Sequence, residues 1–396
     1  MNQLPISLAR NWDATKNRSV NQLVQQMVQP LDFDMSVDVI EWVDLWDKLK
    51  SLAQHKSDIV ISEIGSTWLA DFVEQDVLYS FTEEDIEQIG DFHNFSGWQF
   101  GTNSTWRGVY AIPWLSDSQV LYYWQDMIED AGVDPTIEFA SVNSFEHSLS
   151  KISQKILRYP WAVSTVKNPA SLHQLASWIW GSNTDIISED GRQIHLLDIK
   201  AIQAVTHYFN LYRYIPEFSR TSPAQMTAFF ANREAALMMG GTRMYYELKR
   251  RLPEHLMSRI GVTLPPGVPF VGTQHLVMWN HADVEQKKQG IAFLKAFLSP
   301  DVHHKMSKII GLMPTQTNIQ NDEAYQQDEF LWTINTAIQI GRSYPPLPQW
   351  TTVEHHLMDT MARIWDDIFI NQATDVENVV FKHMIRFGQN IRPILG

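Results

Sequence analysis

A chain of 396 residues is too long for one ordinary core and suits two domains. Its 31 basic and 45 acidic residues give a net charge of −14, which argues against nucleic acid, and its 44% hydrophobic content argues against disorder. It has no cysteine, which excludes disulfides, thiolate metal sites and a cysteine nucleophile.

The chain opens with a short strand pattern at Ile6–Leu8, broken at Asn11-Trp12. Val20, Leu23, Val24, Met27 and Val28 then recur at helical spacing, with Ser19 as the expected N-cap. Val37–Ile40 reads as a second strand followed by a helix from Trp42 to Leu49. Asp58–Ser62 reads as a third strand, after which Gly65-Ser66-Thr67-Trp68 opens another helix. Glu83, Glu84 and Asp85 form an acidic run suited to a first helical turn. Alternation of this kind predicts a sheet with helices on its faces.

The segment 108–135 carries the most information. Val109–Ile112 and Val120–Tyr123 are β-prone, and between them lie Pro113, Trp114, Ser116, Asp117 and Ser118. The pattern predicts two strands joined across a polar break, then a helix from Trp124 to Ala131 ended by Gly132. A chain that leaves one sheet and enters another across such a break is what a hinge requires.

The middle of the chain is richer in helix. Ala170–Trp180 is one, closed by Gly181, and Trp178 and Trp180 are two apart, so one is expected on the core and the other on a cleft. Asp190-Gly191 predicts a hairpin turn. Asp198–Tyr214 is a long helix, and Ser222-Pro223 supplies the N-cap and first residue of the next. Ala235–Met239 is a strand running into Gly240-Gly241. Ile260–Leu264 and His275–Trp279 are two more, and helices are expected at Val284–Leu298 and after Ser299-Pro300. Near the C-terminus, Val353, Leu357, Met361, Ile364 and Ile368 form one stripe, and Thr374 with Glu377 predicts a capping box for the last helix.

Several of these segments resemble family 1 of the extracellular solute-binding proteins, the carbohydrate receptors of ABC importers. The likeness is carried by Ser57–Ser62 with Thr67-Trp68-Leu69, by the whole of 108–135, and by Phe229–Gly241. Phe270-Val-Gly-Thr273, Ile291–Pro300 and Gly311-Leu-Met-Pro314 complete it. The chain departs from the family pattern at Thr242-Arg243, where proline and tryptophan are common, and at Trp124, where asparagine is common.

The resemblance implies an α/β, periplasmic-binding-protein-like (type II) fold with two discontinuous lobes joined by a hinge. One lobe would comprise 1–113 and 270–315, the other 118–264 and 322–396. The hinge would lie near 113–118, 264–272 and 311–321. It implies capture of a sugar or oligosaccharide in an interlobe cleft, delivery to an ABC permease by hinge closure, a monomer, no cofactor and no catalysis. The N-terminus shows no basic n-region, long apolar stretch or lipobox. The expected location is extracytoplasmic if a signal has been removed. A ligand-sensing domain of a regulatory protein is the alternative, with a cytoplasmic location, and a glycosidase-type enzyme is a third.

A sugar presents hydroxyls at its rim and C–H groups on its faces. Its receptor therefore needs flat aromatic rings and side chains that both donate and accept. Trp12, Trp42 and Trp68 each follow a predicted strand, where an open α/β sheet meets its ligand. Ser66 lies beside Trp68, and Trp114 and Asp117 occupy the polar break. Trp180, Gly241, Thr242, Arg243 and Trp350 are the expected contacts from the second lobe, with Thr273 at the return crossing. Core packing is the competing role for every tryptophan. The adjacent pairs His303-His304 and His355-His356 point about 100° apart on a helix, so neither chelates a metal.

Overall fold

Among the described residues ten strands are formed: β1 Gln3–Arg10, β2 Asp34–Glu41, β3 Ile61–Gly65, β4 Ile112–Ser118, β5 Val120–Trp124, β6 Tyr159–Ala162, β7 Ala235–Gly240, β8 Ile260–Thr263, β9 Val271–Met278 and β10 Met313–Pro314. They form two sheets, a six-stranded one ordered β10-β4-β9-β3-β1-β2 and a four-stranded one ordered β6-β7-β5-β8. The structure is a computed structural model that describes residues 3–10, 16–31, 33–55, 57–90, 95–102, 108–155, 159–216 and 220–395. Trp12 lies outside the described residues.

Each sheet belongs to its own compact unit. The first unit comprises Met1–Asp117 and Gly272–Gln327; the second comprises Ser118–Val271 and Asp328–Gly396. The chain therefore passes from one unit to the other three times. Residues 322–327, expected with the second lobe, cluster with the first, because Tyr325 is buried there with its hydroxyl 3.4 Å from Ser307 Oγ. Phe270 and Val271, expected in the first lobe, cluster with the second. Val271 N–H donates to the Arg342 carbonyl, and the Phe270 carbonyl accepts from Ser118 Oγ at 2.8 Å.

In the first unit β1 runs parallel to β2 and β3, and β3 runs antiparallel to β9. Every residue of β3 is buried, as expected of a central strand with both faces covered. One face packs Leu4, Ile6, Leu8, Ile61, Leu276 and Met278 under helices Asn17–Val28 and Val284–Phe297. The opposite face packs Ala9, Ile64, Val277 and Trp279 under helix Trp42–Gln54. The Val20–Val28 stripe is buried as its spacing predicts, but Ser19 lies inside the helix, whose N-cap is Lys16.

The second unit sets β5 antiparallel to β7 and β8 and adds β6 parallel to β7. Helix Pro169–Gly181 begins at Asn168, whose side chain accepts the Ser171 amide, with proline in the first turn. It is buried nearly all round, so Trp178 and Trp180 both lie inside rather than dividing between core and surface. Ser222 and Gln225 make a full capping box for helix Pro223–Ala231.

Three local expectations shift. The polar break at Pro113–Ser118 is itself β4, and Gln119 alone separates it from β5. Pro113 lies outside the two residues, Leu115 and Ser116, that pair with β10. The Asp190-Gly191 turn forms, with Gly191 at φ +74, but no strand flanks it. The last helix, Val376–Leu395, is capped by Asp375 rather than Thr374, since Asp375 Oδ1 accepts the Asn378 amide at 3.0 Å.

Candidate functional site

Parallel strands bring their C-terminal ends to one edge, and in the first unit that edge carries aromatic rings. β2 ends at Glu41 and helix Trp42–Gln54 starts at once. β3 ends at Gly65 and the turn Ser66–Trp68 follows. The two tryptophans so placed meet: Trp42 and Trp68 stack with centroids 5.0 Å apart at 26°. Trp46, one turn after Trp42, packs on Trp68 at 5.6 Å and on Phe72 at 5.5 Å. All three tryptophans are half-buried on the edge of the core.

Gly65 makes the close approach possible. A Cβ at this position would sit 3.3 Å from the tip of the Trp42 ring and 3.7 Å from Trp68. Its φ of −74 suits any residue, so space under the rings is what calls for glycine. Ser66 beside it is buried.

Polar groups gather near the start of β9. Thr273 is buried, and its Oγ1 has no hydrogen-bond partner. His275 donates from Nε2 to the Gly97 carbonyl at 3.3 Å, and burial lowers its pKa to about 4. His303, fully buried, donates to the Trp114 carbonyl, and burial again holds its pKa at about 4. Both rings are therefore neutral donors at pH 7. Asp117, the last residue of this unit's first segment, is partly exposed.

The second unit offers a different set. β7 ends at Gly240, and Gly241 leads into helix Thr242–Arg251. The Tyr122 hydroxyl donates to the Gly241 carbonyl at 2.9 Å and fixes this entry. Arg243 stands exposed in the first turn, and Thr242 is fully buried. Further along the helix, the Tyr245 hydroxyl donates to Asp328, and burial with that carboxylate pushes the tyrosine pKa up.

Three expected contacts are corrected. Trp114 is 1% exposed and packs on Phe297 at 5.1 Å inside the first core, because β4 continues through it and turns it inward. Trp180 is buried, its indole N–H donates to Asp185 Oδ1 at 2.9 Å, and the Arg342 guanidinium lies 4.5 Å over its ring. It thus has neither a free donor nor an open ring. Trp350 has no exposed surface and packs on Tyr344 at 4.5 Å, where the Pro345–Pro348 loop turns into the long helix Trp350–Phe369.

Two residues of this edge escaped the sequence reading. Trp46 had a signal, since it is four residues from Trp42 and so on the same helical face. Glu63 had a weaker one, a single acid in the apolar run Ile-Ser-Glu-Ile-Gly. Among the described residues no group of three or more His, Asp or Glu side chains is arranged to hold a metal ion. No helix among them is long and apolar enough to cross a membrane.

The arrangement is an α/β two-sheet fold of the maltose-binding-protein-like periplasmic binding proteins. Residues 23–331 match the family described as bacterial extracellular solute-binding protein, and the chain belongs to that family. Its members are receptors, not enzymes. Among curated proteins, binding proteins of Brucella abortus and Brucella suis are 19% identical over 351 residues, which is 84% of this chain and 80% of theirs. A solute-binding protein from Thermotoga lettingae, solved with α-D-tagatose, superposes with a TM-score of 0.81 at 17% identity, covering 100% of both chains. The sugar-binding protein MalE of Xanthomonas citri gives a TM-score of 0.82 at 17% identity, over 100% of this chain and 97% of that one. A maltose-bound T. maritima receptor gives 0.79 at 17% identity, over 98% of this chain and 100% of that one.

Proposed function

We propose that this chain is an extracytoplasmic receptor that captures a sugar or oligosaccharide and delivers it to the permease of an ABC importer, working as a monomer and bending at its three chain crossings. The observation that carries the reading is the half-buried Trp42–Trp68 stack over Gly65 at the C-terminal edge of the first sheet. Stacked indoles form a broad apolar platform that suits the C–H face of a pyranose. Trp42, Ser66, Trp68, Asp117 and Thr273 would serve as contacts from the first unit, and Gly241 and Arg243 from the second. The relatives solved with tagatose and maltose support the sugar class.

Titration calorimetry against α-D-tagatose, maltose, longer maltooligosaccharides and acidic oligosaccharides tests the reading. Binding of at least one is expected, and absence of heat with all of them at protein concentrations well above micromolar overturns it. For the sugar that binds, Trp68→Ala is expected to weaken affinity by about 1–3 kcal/mol through lost apolar contact. Unchanged affinity would remove Trp68 from the site.

A further inference from the structure

Glu63 is the one ionisable side chain of β3, and sugar capture as described above does not use it. It has no exposed surface. Its Oε2 accepts the Ala9 amide at 2.9 Å, and its Oε1 is buried with no hydrogen-bond partner. A carboxylate held by one N–H is poorly stabilised in an apolar interior, whereas the neutral acid, even with its O–H unpaired, costs far less. Burial accordingly raises its pKa from 4.5 to about 8, against a smaller downward pull from the Ala9 amide.

Among the described residues its surroundings supply no counter-charge. Alternation along β3 puts Glu63 on the face of Ile61, and Leu276 stands opposite it on β9. On that face of β9 the flanking residues are Gln274 and Met278, and on β1 the same face carries Ile6 and Leu8, all uncharged. The covering helices Asn17–Val28 and Val284–Phe297 bury Val20, Val24, Ile291 and Leu294 toward it. Their Arg18, Glu285, Lys288 and Lys295 are exposed, and Lys287 lies over the Tyr79 ring at 4.9 Å. His275, the nearest titratable neighbour along β9, is paired with Ile64 and points to the other face.

The position gives this acid leverage. β1 and β3 are parallel neighbours, and the Glu63–Ala9 bond ties them where both approach the aromatic edge. Gly65, on which the Trp42 ring lies, follows within the same strand. We propose that the Glu63 carboxylic acid is a proton-operated latch: while uncharged it holds the end of β1 and the floor beneath Trp42 and Trp68, and its ionisation releases them and weakens ligand binding. A buried carboxylate gains stability by reaching water, and reaching water parts the end of β1 from β3. The ligand half of this inference rests on the sugar reading above; the latch itself is a property of the ligand-free protein.

The test reads both halves. Tryptophan emission of ligand-free protein is followed from pH 6 to 9.5, beside maltose affinity at pH 6.5 and 9.5, for wild type, Glu63→Gln and Glu63→Leu. Wild type is expected to show an emission transition centred near pH 8 that both variants lack. Maltose affinity of wild type is expected to fall about tenfold across the range, and that of Glu63→Gln to stay level. Flat wild-type emission, or the same transition in the variants, overturns the latch. If maltose fails to bind even at pH 6.5, maltose is excluded as the ligand, and the emission titration still decides the latch. Glu63→Leu, matched to the Leu8 and Leu276 surroundings, keeps the test open should Glu63→Gln not fold.

Discussion

In the first unit Trp42, Trp46 and Trp68 are half-buried and lean on one another while Trp114 and Trp279 are enclosed, whereas in the second Trp124, Trp161, Trp178, Trp180, Trp350 and Trp365 are buried and Trp332 on a helix face is exposed. The residue type is the same, and its place in the local structure decides the outcome. Trp42 and Trp68 stand where a strand has ended and a helix is beginning, so the sheet covers them from one side. Trp161 lies inside β6 and Trp178 inside a helix buried all round, so neighbours close over them. The strand's pairing matters as well: Trp42 and Trp68 follow parallel strands and stay half-exposed, whereas Trp124 and Trp279, at the ends of antiparallel strands, are fully enclosed.

This contrast breaks most directly in the second core. Trp161 packs against Phe145 at 5.4 Å, Tyr208 at 6.1 Å and Trp178 at 6.5 Å. Trp161→Ala is expected to cost about 3–5 kcal/mol in urea unfolding through the cavity it leaves. A loss below about 1 kcal/mol would mean this cluster relaxes as freely as the surface trio.

The next effect is read by pH and lies within the first unit, which holds Glu63, His275 and His303. Glu63 keeps its proton to about 8 in the folded state but releases it near 4.5 when unfolded. The folded protein therefore binds more protons between those values, and stability falls as pH rises through that window and then levels. By linkage the loss is on the order of a few kcal/mol. His275 and His303 act in the opposite sense: both stay neutral to about 4, so stability falls as pH drops from about 6.5 toward 4. Thermal unfolding across pH 4–9 should show both limbs, and Glu63→Gln should flatten the alkaline one alone.

The smallest effect sharpens the comparison at a single atom. Gly65→Ala places a Cβ 3.3 Å from the Trp42 ring. Stability is expected to change by less than about 1 kcal/mol, because the ring edge can shift. Sugar affinity is expected to drop about fivefold, roughly 1 kcal/mol, as the stack opens. Equal affinity in calorimetry would mean the stack is not the platform.

Much of the architecture was legible because periodicity and strand punctuation are local. The Val20–Val28 stripe, the Ser222 cap and the alternation of strands with helices could be read directly. The polar stretch at Pro113–Ser118 could not. It is a strand because it lies between β9 and β10, both from far later in the chain, with Met313 and Pro314 pairing with Ser116 and Leu115. The site divides the same way. Trp42 and Trp68 could be placed by the strands that precede them, but no local pattern shows that Trp114, Trp180 and Trp350 are enclosed. Their partners Phe297, Arg342 and Tyr344 come from other segments or other elements. Glu63 was missed for a related reason, since its meaning lies in a bond to Ala9, 54 positions earlier.

The interrupted make-up of the first unit also governs how it is born. Its central strand β3 is complete at Gly65, yet its antiparallel partner β9 starts only at Val271. During synthesis at roughly 5–20 residues per second, some ten to forty seconds pass before that partner exists. Throughout that wait one edge of a strand that is buried in the finished fold is unpaired, while the second unit is being made. A nascent chain of this design is expected to depend on a holding chaperone until Gln327 has emerged. Stalling translation at 271 should leave the first segment protease-sensitive.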